Sequence, residues 1–266
     1  MKTSTTTKSK LLGILRGVGV ALFWLIVWEV AARAVDLELL LPSPTATVHK
    51  LISLMSSGSY WTAIATSLLR ILIGYTLGCV VGTVMGFLLY RFSLINVLFS
   101  PVLSMIRSVP VASFIILALV WIGRDNIPPF IAFLMVFPVI SSNVKTGFQS
   151  VDRELAEVAT VYRFSRRKQA ELLYKPAVIP YFMTAAHVTL GLAWKAGVAA
   201  EILASLSKSI GGNIYTSKVQ LETDTLFAWT ITVILISILF EFLLTRFMDK
   251  VKPREGGAIT DARDPS

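Results

Sequence analysis

Charge is what this sequence has least of. Only 15% of its 266 residues are Asp, Glu, Lys or Arg, against about a quarter in soluble domains. With 55% hydrophobic residues, too few polar groups remain to cover a globular surface, which excludes an ordinary soluble protein. Cysteine is nearly absent. Cys79 stands alone in an apolar run, so an intrachain disulfide and a cysteine-based metal cluster are both excluded, and it reads as a small packing residue. His49 and His187 are the only histidines, and neither has a partner at metal-ligand spacing. There is no Gly-x-x-x-x-Gly-Lys-Ser/Thr phosphate loop and no Ser/His/Asp set. No catalytic role, cofactor or metal is expected.

Acidic residues are also scarce, 16 against 25 Lys and Arg, for a net charge of +9. The positives sit in short segments between apolar runs rather than in one patch. That distribution argues for basic loops beside a membrane and against a nucleic-acid partner. The N-terminus has the outline of a signal peptide: Lys2, Lys8 and Lys10, an apolar stretch, then Ala31-Ala32-Arg33-Ala34. But the run from Gly17 to Val35 is longer than the usual apolar region of about 7–15 residues. It also carries Trp24 and Trp28, so it reads as a retained first span.

The chain reads as an all-α integral membrane protein of about six transmembrane helices: Leu12–Val35, Thr62–Tyr90, Leu94–Ile122, Ile127–Phe148, Pro176–Leu203 and Leu226–Met248. Most reach the roughly 20 residues needed to cross the hydrocarbon core. In the second, Gly74, Gly78, Gly82 and Gly86 make a four-residue ladder on one face, where another helix can approach closely. In the third, Pro101 and Pro110 should bend or break the helix. Basic residues decide the orientation. Those before Gly17, Arg91, Lys145, those from Arg153 to Lys175 and those from Arg246 onward fall on one side, and Arg33, Lys50, Arg124, Lys208 and Lys218 on the other. The richer side is cytoplasmic, which puts both termini inside. Two segments are expected on the outer surface. Leu41-Pro42-Ser43-Pro44 leads an amphipathic helix with Val48, Leu51, Ile52 and Met55 on one side, and Ser209–Tyr215 follows the fifth span.

The cytoplasmic stretch Val151–Pro176 is too polar for lipid and too patterned for a loose linker. Asp152 can cap a helix, and Glu154 and Glu157 suit its first turns. Leu155, Val158, Ala159 and Tyr162 recur at helical spacing. A second short helix can start at Ser165. Phe164 is expected at the exposed tip among arginines. The pattern is that of a helix-turn-helix presenting an aromatic and a basic rim to a docking partner.

This loop resembles the EAA loop of binding-protein-dependent ABC transporter permeases, which reads Glu-Ala-Ala, three residues, Gly, nine residues, Ile-x-Leu-Pro. Here Glu157-Val158-Ala159, Arg163 and Leu173-Tyr174-Lys175-Pro176 fall at that spacing. Val158 replaces Ala, Arg163 replaces Gly, Leu173 replaces Ile and Lys175 replaces Leu. Gly permits a positive-φ turn that Arg resists. Leu41-Pro42-Ser43-Pro44, Ser67-Leu68-Leu69-Arg70, Arg107-Ser108-Val109-Pro110 and Trp194-Lys195 with Ala199-Ala200-Glu201 are similar to the nitrate/sulfonate/taurine subgroup.

The resemblance implies a type I ABC importer permease fold filling residues 1–266 as one domain. Its parts would be a first span and outer segment at 1–60, a core at about 61–250, the coupling loop at 151–176 and a cytoplasmic tail at 251–266. It implies two cytoplasmic ATPase subunits, a second permease copy as a homodimer partner, and an external solute-binding protein, in the lipid of a bacterial cytoplasmic membrane. Glu157, Val158, Ala159, Tyr162, Arg163, Phe164 and Ser165 would meet the ATPase. A small solute would be moved inward by alternating access: a sulfonate, taurine, nitrate or a vitamin precursor.

An ion-coupled secondary transporter is the alternative. It would need intramembrane carboxylates, and the acids within or at the ends of spans are Glu29, Glu201 and Glu241, with no mid-depth pair. Arg107, Pro110, Lys195 and Glu201 are candidates for the translocation path. Arg107 falls near mid-depth beside a helix-breaking Pro110, where an arginine must face water or a partner. It either favours an anionic substrate or is neutralised by Glu201 or by backbone carbonyls.

Overall fold

The computed structural model describes residues 4–251; the tail expected at 251–266 lies outside the described residues beyond Val251. The chain order is α1 (Ser4–Val35), α2 (Pro44–Met55), α3 (Gly58–Arg91), α4 (Ser93–Ser108), α5 (Val111–Trp121), a 3₁₀ turn (Arg124–Asn126), α6 (Ile127–Gln149), α7 (Arg153–Val161), α8 (Arg166–Gln169), a π turn (Ala170–Tyr174), α9 (Lys175–Leu203), α10 (Ile210–Val219) and α11 (Thr223–Val251). No strand occurs among the described residues. Among the described residues five helices are long and apolar enough to span a membrane, or six if α4 and α5 form one broken span. The break falls at the second expected proline. Val109, with ψ 133°, and Pro110 are extended, because the proline ring bars its predecessor from the helical region. Pro101 is accommodated inside α4.

The chain folds as two compact units. The first comprises Met1–Ile73, Pro110–Ile131 and Ala196–Ile236. Its core includes Tyr60, Ile71, Ile115, Ile127, Ile210 and Trp229. The Tyr60 ring lies 4.9 Å from that of Trp229, tilted by 35°, and its hydroxyl shares a hydrogen bond of 2.9 Å with Thr232. Trp28 of α1 donates to the Pro42 carbonyl at 3.1 Å and lies 5.7 Å from the Phe227 ring. These contacts hold the start of α2, which Ser43 caps through its side chain with Pro44 in the first turn.

The second unit comprises Gly74–Val109, Ala132–Lys195 and Ser237–Ser266. Here the glycine ladder meets α6. A Cβ added at Gly78, Gly82 or Gly86 would stand 2.6, 2.9 or 2.7 Å from the Cβ of Val136, Ile140 or Val144. Each contact repeats after four residues on both helices, so an i±4 ridge packs against an i±4 groove. At the loop end, Phe148 lies 5.5 Å from Phe87, 5.1 Å from Tyr90 and 5.9 Å from Tyr174. This aromatic cluster ties the π turn to α3 and α6.

Candidate functional site

The expected coupling loop forms two capped helices. Asp152 accepts the Glu154 amide at 2.9 Å and starts α7. At the other end the Phe164 amide donates to the Ala159 carbonyl at 2.9 Å and the Arg163 amide to the Thr160 carbonyl at 3.0 Å. That pair of reversed bonds is a Schellman cap, whose penultimate residue must be left-handed. Arg163 sits there with φ 51°. The turn survives the replacement of glycine because two backbone bonds hold it. Ser165 then caps α8 through the Lys168 amide, Gln169 donates to the Phe164 carbonyl, and the chain runs through the π turn into α9. The widened turn directly precedes Lys175-Pro176, where Pro176 has no amide to donate.

The apolar surface differs from the expected tip. Phe164 is half-buried with the Lys168 ammonium 4.3 Å from its ring centre. Leu155, Val158, Val161 and Tyr162 are exposed instead, the last two by 78% and 70%. Ala159 is buried beneath them. Glu157 lines an open hollow of about 490 Å³ beside α7 with Arg153, Ala156, Thr160 and Val161. The period of α7 marks Leu155, Val158 and Tyr162 in the sequence; Val161 lies off that stripe, so helical spacing does not point to it.

The path candidates separate. Pro110 forms the break before α5. Arg107 is exposed in the last turn of α4 and its Nε donates to the Leu103 carbonyl at 3.3 Å. A cation suits this helix end. Lys195 is exposed on α9 between buried Trp194 and Ala196. Glu201 is wholly buried. Its Oε2 accepts the Ser67 hydroxyl at 2.8 Å and the Gly211 amide at 3.0 Å.

Around Glu201 the start of α10 is fully accounted for. The Ile210 amide donates to Ser67 Oγ at 2.9 Å, that of Gly211 to Glu201, and that of Gly212 to Ser209 Oγ at 2.9 Å. Three orphan donors of a helix N-terminus thus find side-chain partners. The segment expected on the outer surface is buried at Ile210, Gly211 and Gly212. A Cβ at Gly211 would meet the Val198 carbonyl and the Ile202 amide, each at 2.7 Å, so the paired glycines are required by close approach. Arg70 pairs with Asp125 at 2.5 Å. Ser67 and Arg70 stand out in the sequence as a motif; Gly211 as the partner of Glu201 does not.

Residues 74–255 match the family described as "Binding-protein-dependent transport system inner membrane component". Over 235 residues the chain is 23% identical to the taurine transport system permease of Escherichia coli, covering 86% of this chain and 85% of that one. Over 225 residues it is 27% identical to the bicarbonate transport system permease of Synechococcus elongatus, covering 80% of each. Among solved structures, an amino acid ABC transporter superposes with TM-score 0.62 at 14% identity, over 77% of this chain and 97% of that one.

These matches define the class: a transmembrane permease subunit of an ATP-binding-cassette importer. The chain belongs to the binding-protein-dependent ABC transporter permeases. ATP hydrolysis resides in a separate subunit, a solute-binding protein is the other partner, and the ion-coupled alternative is not favoured. The protein is multi-pass and of the plasma membrane.

Proposed function

We propose that two identical copies of this chain, each a single permease domain with both termini in the cytoplasm, import a small anion of the sulfonate or carbonate type. The observation that carries the coupling half is α7, a doubly capped helix that leaves Leu155, Val158, Val161 and Tyr162 uncovered. An exposed apolar ridge on a rigid polar loop is the form of a protein interface. In this reading it seats in a groove of the ATPase, with Glu157 and Arg163 at the rim and Phe164 stiffening the tip. ATP binding draws the two loops together and opens the outer side to the binding protein, and hydrolysis returns the inward-open state, a rocking between two packings driven by differential affinity for ATP. Arg107 and Lys195, both exposed in the single chain, supply cations along the path, while Glu201 is a structural clamp.

The test uses proteoliposomes holding the permease, its ATPase and its binding protein. Val161→Asp and Tyr162→Asp should each lower uptake about tenfold or more, the factor for about 1.4 kcal/mol at an interface, while the permease stays folded in the membrane. Normal uptake in both overturns the docking role. Arg107→Gln should abolish uptake of taurine, through its sulfonate, or of bicarbonate without lowering basal ATPase activity; unchanged uptake of both solutes overturns the anion path.

A further inference from the structure

The most exposed span carries a groove that coupling leaves unused. Within α1 the span Arg16–Val35 is only 6% buried, against 17% to 50% for the other candidate spans. Along one side it faces α2 across an open groove of about 630 Å³, within the range of about 300–1,000 Å³ found for ligand sites. Leu22, Leu25 and Ile26 wall it on α1, and Val48 and Ile52 on α2. Glu29, Arg33, Thr45 and His49 line it as well. Along α1 the lining is apolar from Leu22 to Ile26 and charged at Glu29 and Arg33. From Leu22 to Arg33 the helix rises about 16 Å at 1.5 Å per residue, about half of a hydrocarbon core of about 30 Å. The groove therefore runs the depth of one leaflet, apolar towards mid-membrane and polar at the end of the span.

The charges at its polar end are organised. Glu29 lies six residues inside the end of the span, where an isolated carboxylate on a lipid-facing helix is costly. Arg33 answers it, with Nε donating to Glu29 Oε1 at 2.8 Å. This bond uses Nε and leaves both terminal nitrogens without a protein partner among the described residues. The Arg33 side chain is 78% exposed, that of Glu29 25%. His49 lines the opposite wall. The walls are preset by the Trp28 bond to the Pro42 carbonyl, the Ser43 cap of α2 and the ion pair of Lys50 with Asp224 at 3.7 Å.

We propose that this groove is a phospholipid site. One acyl chain lies against Leu22, Leu25, Ile26, Val48 and Ile52, and the phosphate is bound by the terminal nitrogens of Arg33 with His49 opposite. Glu29 is a positioning residue that aims the guanidinium. The polarity gradient matches the one molecule that is apolar at mid-membrane and anionic at the interface, and a guanidinium fork suits phosphate oxygens. The bound lipid would bridge α1 and α2 along the groove, beyond the point where the Trp28 bond to the Pro42 carbonyl already ties them. The site is independent of the coupling loop and of the substrate.

The experiment is native mass spectrometry of the full chain released from detergent, after reconstitution with phosphatidylethanolamine and phosphatidylglycerol and re-extraction. Wild type should retain phospholipid. The double variant Arg33→Gln/His49→Gln should retain at least tenfold less, and Arg33→Lys an intermediate amount. Ile26→Trp, which fills the apolar end without touching a charge, should also lose it. Arg124→Gln, an exposed arginine outside the groove, should behave as wild type. Equal retention in the double variant and wild type overturns the phosphate contact. If Ile26→Trp leaves bound lipid unchanged but shifts the dimer to monomer, the groove holds a second copy of the chain and the proposal fails. Far-ultraviolet circular dichroism checks that each variant is folded.

Discussion

Ser67→Ala probes the junction of α3, α9 and α10. The hydroxyl donates to Glu201 Oε2 at 2.8 Å and accepts from the Ile210 amide at 2.9 Å. Its removal loses a bond to a carboxylate, worth about 1.5–3 kcal/mol, and strands a buried amide at about 1–3 kcal/mol. Water entering the small space left behind recovers part of this, so the expected loss is about 3 kcal/mol. At about 2–4 °C per kcal/mol for a chain near this size, Tm should fall by about 6–12 °C. Glu201→Ala strands the Gly211 amide and the Ser67 hydroxyl and should cost at least as much. Glu201→Gln should cost less, because its oxygen can keep both donors while its nitrogen takes the place of Oε1, which has no partner among the described residues. The assay is thermal unfolding of the purified permease in nanodiscs, followed by tryptophan fluorescence. The double variant Ser67→Ala/Glu201→Ala must be less damaging than the two single effects summed, by about 1.5–3 kcal/mol, since both singles break the same bond. Strict additivity, or a Ser67→Ala shift under about 2 °C, would refute the clamp.

Two further perturbations test the packing and the loop. Arg163→Gly relieves a left-handed residue, worth about 1–2 kcal/mol, but adds chain entropy of about 0.5–1 kcal/mol. The small net gain should slow hydrogen exchange at the Phe164 amide, the bond that closes the cap; faster exchange means the turn depends on the arginine side chain. Gly82→Ala puts a methyl 2.9 Å from Ile140 Cβ and 3.0 Å from the Phe137 carbonyl. It should lower stability by about 1–3 kcal/mol as overpacking does. Ile140→Ala in the same chain should restore part of that loss only if the two helices touch at this rung, so no rescue in Tm counts against the ladder contact.

Properties that depend only on neighbouring residues are legible in the sequence itself. A long apolar helix follows from about 20 residues without charge, because the bilayer offers no water to an unpaired backbone. The break at Pro110 follows from a ring with no amide. The caps at Asp152 and Ser165 follow from short polar side chains ahead of helical stripes. Other features need the chain to come together. A glycine ladder says that something approaches closely, but only the packed helices identify Val136, Ile140 and Val144 as what approaches. By sequence Phe164 is the exposed aromatic, because it follows the helix end. In the folded loop a lysine covers it and Val161 and Tyr162 carry the surface, since the Schellman turn rotates the chain by a geometry no periodicity records. By sequence Glu201 is a membrane charge beside a path. Its partners are Ser67, 134 residues before it, and Gly211, ten after it. Composition and spacing cannot reveal whether a carboxylate faces water or an amide, because that depends on which helix N-terminus the tertiary fold lays against it.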